Sequence, residues 1–147
     1  STNVRSGLIC IAESDTRKRV VVAPIYFEAN DAEVFSINQY FNENAASLRK
    51  STEAVLKQLG QNDFVIIEGH ANYTTYPNRR LMNSEKAELF ALSQNRADII
   101  KRVFMLYGIP ENRIRIHGNG GEHFLVKPNA KDSWKNRRVE LFIEREE

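Results

Sequence analysis

The sequence predicts a two-layer α/β (α+β) sandwich, and three observations lead there. Apolar, β-rich runs and two long helical periodicities follow one another in the order β(β)αβαβ…β. The runs between and after the helices are apolar along one alternating set of positions, with charged residues such as Glu68, Arg115 and Glu140 among the intervening ones. Both helical segments carry an apolar seam.

Taken in order, Gly7 to Ala12 and Val20 to Phe27 are apolar runs separated by the charged stretch Asp15-Thr16-Arg17-Lys18-Arg19. That is the pattern of a hairpin, or of an edge strand leading into a core strand. Asn42 to Leu59 reads as a helix, with Leu48, Thr52, Val55, Leu56 and Leu59 at helical spacing and Gly60 as its stop. Phe64 to Ala71 reads as a strand, followed by a polar, aromatic loop from Asn72 to about Asn83. The longest periodic segment, Ser84 to Tyr107, has Ser84 as its expected N-cap, Glu85 in the first turn, and Gly108 and Pro110 past its end. Arg113 to His117 is a short alternating strand. After Gly118, Gly120 and Gly121 a loop runs to Asn136, and Arg137 to Ile143 forms the last strand.

Alternation assigns the faces. Val65, Ile67, Gly69 and Ala71 share one side with Ile114, Ile116, Val139, Leu141 and Ile143. Glu68, His70, Arg113, Arg115, His117, Arg138, Glu140 and Glu144 fall on the other. The first side is expected under the helices and the second in water. A doubly wound sheet would be apolar on both.

The composition narrows the function classes. The chain has 147 residues, 41% of them apolar, enough for the core of a single domain without disulfides or metal. Its 21 Lys plus Arg against 19 Asp plus Glu leave +2. A nucleic-acid binder working by bulk phosphate neutralisation, or a polybasic membrane-surface domain, would carry a clear basic excess. The single cysteine, Cys10, lies in an apolar run and reads as a packed strand residue. No apolar run approaches the length of a membrane span. The chain opens at Ser1 without Met and carries no signal peptide, so it reads as a mature or excised fragment.

Arg96 is the most informative residue. The seam of the long helix runs Leu89, Leu92, Ile99, Ile100, Val103 and Tyr107, and Arg96 falls in its middle. Burying a guanidinium costs several kcal/mol unless it is paired or reaches an opening. Two readings stand: a structural arginine that snorkels or pairs with a core carboxylate, or a bidentate anchor for a carboxylate at a pocket mouth. Arg137 shares its parity with Val139, Leu141 and Ile143, so it too points toward the helix layer. Two adjacent cations suit a bound anion, although capping of helix carbonyls would also account for Arg137. The histidines show no zinc-motif spacing, so no metal is expected; Glu68, His70 and His117 read as solvated sheet residues. Gly118-Asn119-Gly120-Gly121 reads as a tight turn, since no helix and no Lys-Ser/Thr pair follows as in a phosphate loop.

Five pieces of the chain occur in an order that resembles one known family. They are Ile25-Tyr26-Phe27-Glu28-Ala29-Asn30, Ile67-Glu68-Gly69-His70, Leu92-Ser93-Gln94-Asn95-Arg96-Ala97, Tyr107-Gly108-Ile109-Pro110 and Asn136-Arg137-Arg138-Val139-Glu140. Together they resemble the OmpA-like, peptidoglycan-associated domain over roughly residues 20 to 145. This leaves 1–19 as an N-terminal strand or hairpin extension to a domain of residues 20–147. The resemblance implies a βαβαββ unit with a mixed sheet and helices on one face. It implies a periplasmic location against the outer membrane and cell wall. The activity it implies is anchoring to peptidoglycan without catalysis and without a cofactor, through a pocket that grips the diaminopimelate of the stem peptide. Matching the motifs residue by residue, the helix arginine that forks the ligand's carboxylate is Arg96. The first arginine of the last motif is Arg137, and the asparagine after the first strand is Asn30.

The departures are specific. Where the family has Gly-His-Thr-Asp, this chain has Gly69-His70-Ala71-Asn72, so the carboxylate that meets the ligand's ammonium is replaced by the Asn72 amide. Leu89 stands where the family often has a pocket asparagine. The 24 positions from Asn72 to Arg96 exceed the family's usual spacing. The loop Tyr73 to Arg80 is thus open to three readings: a cover for the pocket, a surface for a protein partner, or a tolerated insertion. These departures also leave open a divergent domain that keeps the scaffold for structural or protein interactions. A wall hydrolase is disfavoured because no catalytic constellation stands in the sequence.

Overall fold

The computed structural model describes residues 2–5, 8–33 and 39–145. Its strands are β1 Thr2–Arg5, β2 Leu8–Ala12, β3 Arg17–Tyr26, β4 Asp63–Gly69, β5 Ile114–Gly118 and β6 Arg138–Arg145. Its helices are α1 Phe41–Gln58 and α2 Arg79–Leu106. The six strands form one sheet in the order β1-β2-β3-β6-β4-β5. β4 and β5 are parallel, whereas β6 runs antiparallel to both β3 and β4. The mixed βαβαββ unit is therefore β3-α1-β4-α2-β5-β6, with the last strand inserted between the first two. Before it, β2 and β3 make an antiparallel hairpin whose turn is closed by Glu13 N–H and Ser14 N–H donating to the Arg17 carbonyl. β1 then adds to the edge of β2, a strand for which the sequence held no expectation. Cys10 falls in β2, and the packing of its side chain lies outside the described residues.

Both helices lie on one side of the sheet. Val65, Ile67, Val139, Leu141 and Ile143 pack there against Leu48, Ala54 and Val55 of α1 and Ala97, Ile100, Val103 and Phe104 of α2. This burial, on the order of 1.5–3 kcal/mol for each large side chain, is the main source of stability. Among the described residues, no helix is long and apolar enough to cross a membrane.

Three local expectations are corrected. Helix α2 starts at Arg79, not Ser84: Asn78 is the N-cap, and its side chain accepts from Leu81 N–H at 3.1 Å. Ser84 lies inside the helix, its hydroxyl donating to the Arg80 carbonyl. The first turns are mostly exposed, so they carry no apolar periodicity to reveal them. Arg113 belongs to a 3-10 turn, Glu111–Arg113, and donates from Nε to the Asp63 carbonyl at 2.6 Å and from Nη2 to the Gly60 carbonyl.

The second side of the sheet is not uniformly wet. His70, Arg138, Ile66 and Phe142 are all buried there. The segment between β5 and β6 folds over the pocket end of that face, and Arg138 Nη2 donates to its His123 carbonyl at 3.1 Å. Farther along, the Arg17 guanidinium covers the Phe142 ring at 4.0 Å and that of Arg115 covers Phe64 at 3.7 Å. Alternation identifies the face; it carries no information about a loop that later lies across it.

Candidate functional site

The site forms where α2 crosses the ends of β4 and β5. Gly69 and Gly118 are cross-strand neighbours, and both are glycine because the helix backbone is on top of them. A Cβ on Gly69 would stand 1.8 Å from the Ser93 carbonyl oxygen, and one on Gly118 would stand 2.7 Å from Gln94 N. Ser93 fits the crossing because it is small and fully bonded: its hydroxyl donates to the Phe90 carbonyl at 2.9 Å and accepts from Gly120 N–H at 2.8 Å. The close approach brings Arg96, a turn further along α2, to the end of β4.

Arg96 has no exposed surface. Its Nε donates to the Asp31 carbonyl at 2.8 Å, Nη1 to the His70 carbonyl at 2.9 Å, and Nη2 to the Glu28 carbonyl at 3.0 Å. The guanidinium thereby ties the chain after β3 to the end of β4. All of its hydrogen bonds go to backbone carbonyls, with the Phe27 ring 5.2 Å from the guanidinium and the Asp31 carboxylate near enough to favour its charge. Burial, and then the nearby cation of Arg137, bring its pKa down to about 9. A guanidinium has five N–H donors. Three are spent on carbonyls, which leaves one N–H on each terminal nitrogen.

Arg137 closes the other side. Its Nε donates to the Phe27 carbonyl at 2.7 Å and its Nη2 to the Tyr40 hydroxyl at 3.3 Å. It thus caps the chain leaving β3, not a helix end. Asn30, between Phe27 and Asp31, adopts a left-handed φ of 57°, a conformation asparagine tolerates better than most residues. Asn72 donates from Nδ2 to the Pro128 carbonyl at 3.1 Å and accepts at Oδ1 from Asn136 Nδ2 at 2.9 Å. An aspartate at position 72 would keep the second bond but set an oxygen against Pro128.

Asn30, Asn72, Arg96 and Arg137 all line one pocket of about 90 Å³, together with Ala29, Thr74, Leu89 and Leu92. It sits beyond the ends of β3 and β4 and, among the described residues, is lined by two cations and no acidic side chain. That arrangement suits an anionic group such as a planar carboxylate.

A family model described as the OmpA family matches residues 40–138. The chain belongs to the OmpA family. Outer membrane protein A of Buchnera aphidicola (subsp. Schizaphis graminum) is 29% identical, over 71% of this chain and 30% of that protein. The chain thus spans under a third of the length of that relative. Among solved structures, the C-terminal domain of Helicobacter pylori MotB aligns with a TM-score of 0.64 at 21% identity, covering 86% of this chain and 89% of that one. The peptidoglycan-associated lipoprotein of Burkholderia pseudomallei aligns with a TM-score of 0.63 at 19% identity, covering 84% and 91%. These two show that the fold is shared.

Within this OmpA-family fold, two residues, Asn136 and Glu85, have roles that the sequence did not reveal. Asn136 is fully buried and uses its whole amide: Oδ1 accepts from Leu125 N–H and Val126 N–H, and Nδ2 donates to the Val126 carbonyl and to Asn72. It fastens the loop before β6 to the pocket wall. Glu85, read from sequence as a first-turn acid, instead accepts from the backbone N–H and hydroxyl of both Thr74 and Thr75. Burial would raise its pKa, but those hydrogen bonds hold it below the ordinary glutamate value. No local pattern announces either role, because each depends on a partner ten or more positions away.

The loop after Asn72 is neither a lid over Arg96 nor a free surface throughout. Tyr73 is buried with Ala71 and Leu89, its hydroxyl donating to Glu122 at 2.7 Å, while Tyr76 packs edge-on to Phe124. Arg79 and Arg80 are exposed in the first turn of α2.

On the opposite face of the OmpA-family sheet, Glu68, His70 and Glu140 bring one ligand-type atom each within 4.8 Å of one another. Burial pushes the His70 imidazole below its ordinary pKa, outweighing the Glu68 carboxylate that raises it. Burial would raise the Glu68 carboxyl, but the His70 imidazole and Arg17 guanidinium beside it bring it down to about 2. His117, grouped with them by parity, is exposed.

Proposed function

We propose that this domain is a non-enzymatic peptidoglycan-binding module that holds an outer-membrane or periplasmic protein to the cell wall through the stem peptide. The observation that carries this reading is the pair of cations, Arg96 and Arg137, lining one pocket with Asn30 and Asn72 and, among the described residues, no acidic side chain. Membership of the OmpA family supports it, as does the likeness to a peptidoglycan-associated lipoprotein. The location this implies is the periplasm, against the wall.

In this reading the carboxylate of the diaminopimelate side chain accepts from the two free N–H groups of Arg96 and lies near Arg137. Binding relieves the repulsion between the two guanidinia, which is why the anion is favoured inside a largely desolvated pocket. The ligand's ammonium meets only neutral amide oxygens, and Asn72 Oδ1 already accepts one hydrogen bond. Loss of charge assistance there costs about 1–2 kcal/mol, so recognition rests on the carboxylate more than on the ammonium. Among the described residues the pocket lining holds cations, amides and apolar groups, and membership of the OmpA family supports a module that binds without turnover.

The test is calorimetric titration with a diaminopimelate-containing muropeptide. Wild type binds, and Arg96→Lys, which keeps the charge but loses the fork, weakens binding about tenfold or more. Arg137→Gln, with its folding checked by circular dichroism, weakens it as well. A wild-type protein that binds no muropeptide refutes the proposal.

A further inference from the structure

We propose that the sheet face turned away from the helices carries a divalent-cation site, built from His70 Nε2 and one carboxylate oxygen each of Glu68 and Glu140, with Zn²⁺ as the ion it suits best. This site is separate from the Arg96 pocket, since the side chains concerned lie across the sheet from it. Glu68 and Glu140 are directly opposed on β4 and β6, and His70 follows two positions after Glu68 on the same face. His70 Nε2 stands 3.7 Å from Glu68 Oε1 and 3.7 Å from Glu140 Oε2.

The imidazole is the decisive group. His70 is almost wholly buried, and neither ring nitrogen has a hydrogen-bond partner among the described residues. Buried polar atoms are nearly always satisfied, so a ring with two orphaned nitrogens asks for a ligand. At 3.7 Å the carboxylates are too far for a hydrogen bond but close to the spacing of ligands around one ion. Two donor atoms on a tetrahedral Zn²⁺ at 2.0–2.1 Å stand about 3.3 Å apart. His70 Nε2 thus stands within a few tenths of an ångström of that spacing from each carboxylate, and the three donor atoms lie within 4.8 Å of one another, so the two carboxylates must swing toward each other to complete a coordination sphere with a fourth position left for water.

The remaining contacts of the carboxylates are consistent with this orientation. Glu68 Oε2 accepts from Arg17 Nη2 at 2.7 Å, and Glu68 Oε1 from Asn119 Nδ2 at 3.2 Å. Glu140 Oε1 accepts from Arg138 Nε and Nη2 at 3.3 and 3.2 Å. Each carboxylate is thus pinned from outside by an arginine and turns its other oxygen toward the imidazole, the usual service of outer residues around a metal. The two arginines also balance the two carboxylates, so the site does not hold cations by excess negative charge. Mg²⁺ and Ca²⁺, which want six or more oxygens, are poorly served by one imidazole and two carboxylates. A borderline ion that accepts nitrogen is well served.

The test uses the full chain freed of metal by chelation and then titrated with ZnCl2, with CoCl2 as a visible-absorbing substitute and MgCl2 as the comparison. The expected result is one Zn²⁺ bound per chain, a tetrahedral-type Co²⁺ spectrum, and a melting temperature raised by Zn²⁺ but not by Mg²⁺. His70→Asn and Glu140→Gln each weaken Zn²⁺ binding at least tenfold. Glu140→Gln is isosteric at a partly exposed position, so it reports on the site even where His70→Asn unfolds the protein. The double variant His117→Ala/His123→Ala leaves binding intact. Absence of Zn²⁺ binding by wild type, binding that survives Glu140→Gln, or binding abolished by the double variant overturns the proposal.

Discussion

Replacing Arg96 by methionine removes a charge and three hydrogen-bond donors while nearly preserving side-chain volume, so its effect isolates what the guanidinium does for the fold. Three backbone carbonyls, those of Glu28, Asp31 and His70, lose their donor. Leaving a buried acceptor unsatisfied costs about 1–3 kcal/mol. The Glu28 and Asp31 carbonyls lie in the chain after β3 and regain water most readily; the bond to His70 is the fully buried one. Against this, the variant no longer desolvates a cation, which returns several kcal/mol. The balance is a net loss of about 2–4 kcal/mol, which for a chain of this size lowers the melting temperature by on the order of 10 °C. Thermal melts followed by circular dichroism measure it. A melting temperature within about 2 °C of wild type would refute the reasoning, because it would mean that the tether contributes nothing net to the fold. The same arithmetic explains why Arg96→Lys, and not a truncation, is the variant suited to testing the ligand: a residue that both builds and lines the pocket cannot be deleted without changing both.

Three further expectations follow from the geometry. Gly69→Ala forces its methyl into the Ser93 carbonyl and the backbone of α2. The helix must shift, at about 3 kcal/mol, and the midpoint of urea unfolding reports it. Asn136→Ala releases the amides of Leu125 and Val126, with about 2–4 kcal/mol lost, and hydrogen exchange should show these two amides losing protection first. The Glu85 carboxyl has a depressed pKa in the folded state, so the stability it adds is present above its unfolded pKa and lost as pH falls through its folded pKa. Glu85→Gln is expected to be about 1 kcal/mol less stable than wild type at neutral pH, a value already reduced for solvent exposure. The difference should shrink as pH falls below about 4; a gap independent of pH would count against the clamp on Thr74 and Thr75.

Arg96 illustrates what the sequence exposes and what it conceals. Its place in the middle of an apolar seam is a matter of periodicity, so its burial was legible from the residues alone. Its partners were not, because backbone carbonyls carry no side-chain signature. The sequence offered a snorkelling or carboxylate-paired structural arginine, or an anchor at a pocket mouth; backbone carbonyls as its partners were in neither, and the arginine they hold also lines the pocket. Strands β2 to β6 and both helices were legible because they alternate or repeat over several residues, whereas the four-residue β1 and the start of α2 at Arg79, hidden in exposed turns with no apolar stripe, were not. The Glu68–Glu140 juxtaposition depends on the register of β6 against β4, and those residues are 72 positions apart. Local pattern fixes which face each residue occupies but leaves the pairing to the folded sheet.

The pocket lies beyond Tyr26 on β3 and before Arg138 on β6, while Arg17 and Glu144 pair at the far end of the same two strands. A pull between a ligand in the pocket and the Arg145 end of β6 therefore runs along the strand axes. In that direction the ladders on both sides of β6 resist by shear, with many backbone hydrogen bonds stretched at once, where a sideways pull would peel them one at a time. Resistance to force is governed by the unfolding rate and not by equilibrium stability. In the proposed wall-binding role, this load path resists tension even where the melting temperature is ordinary.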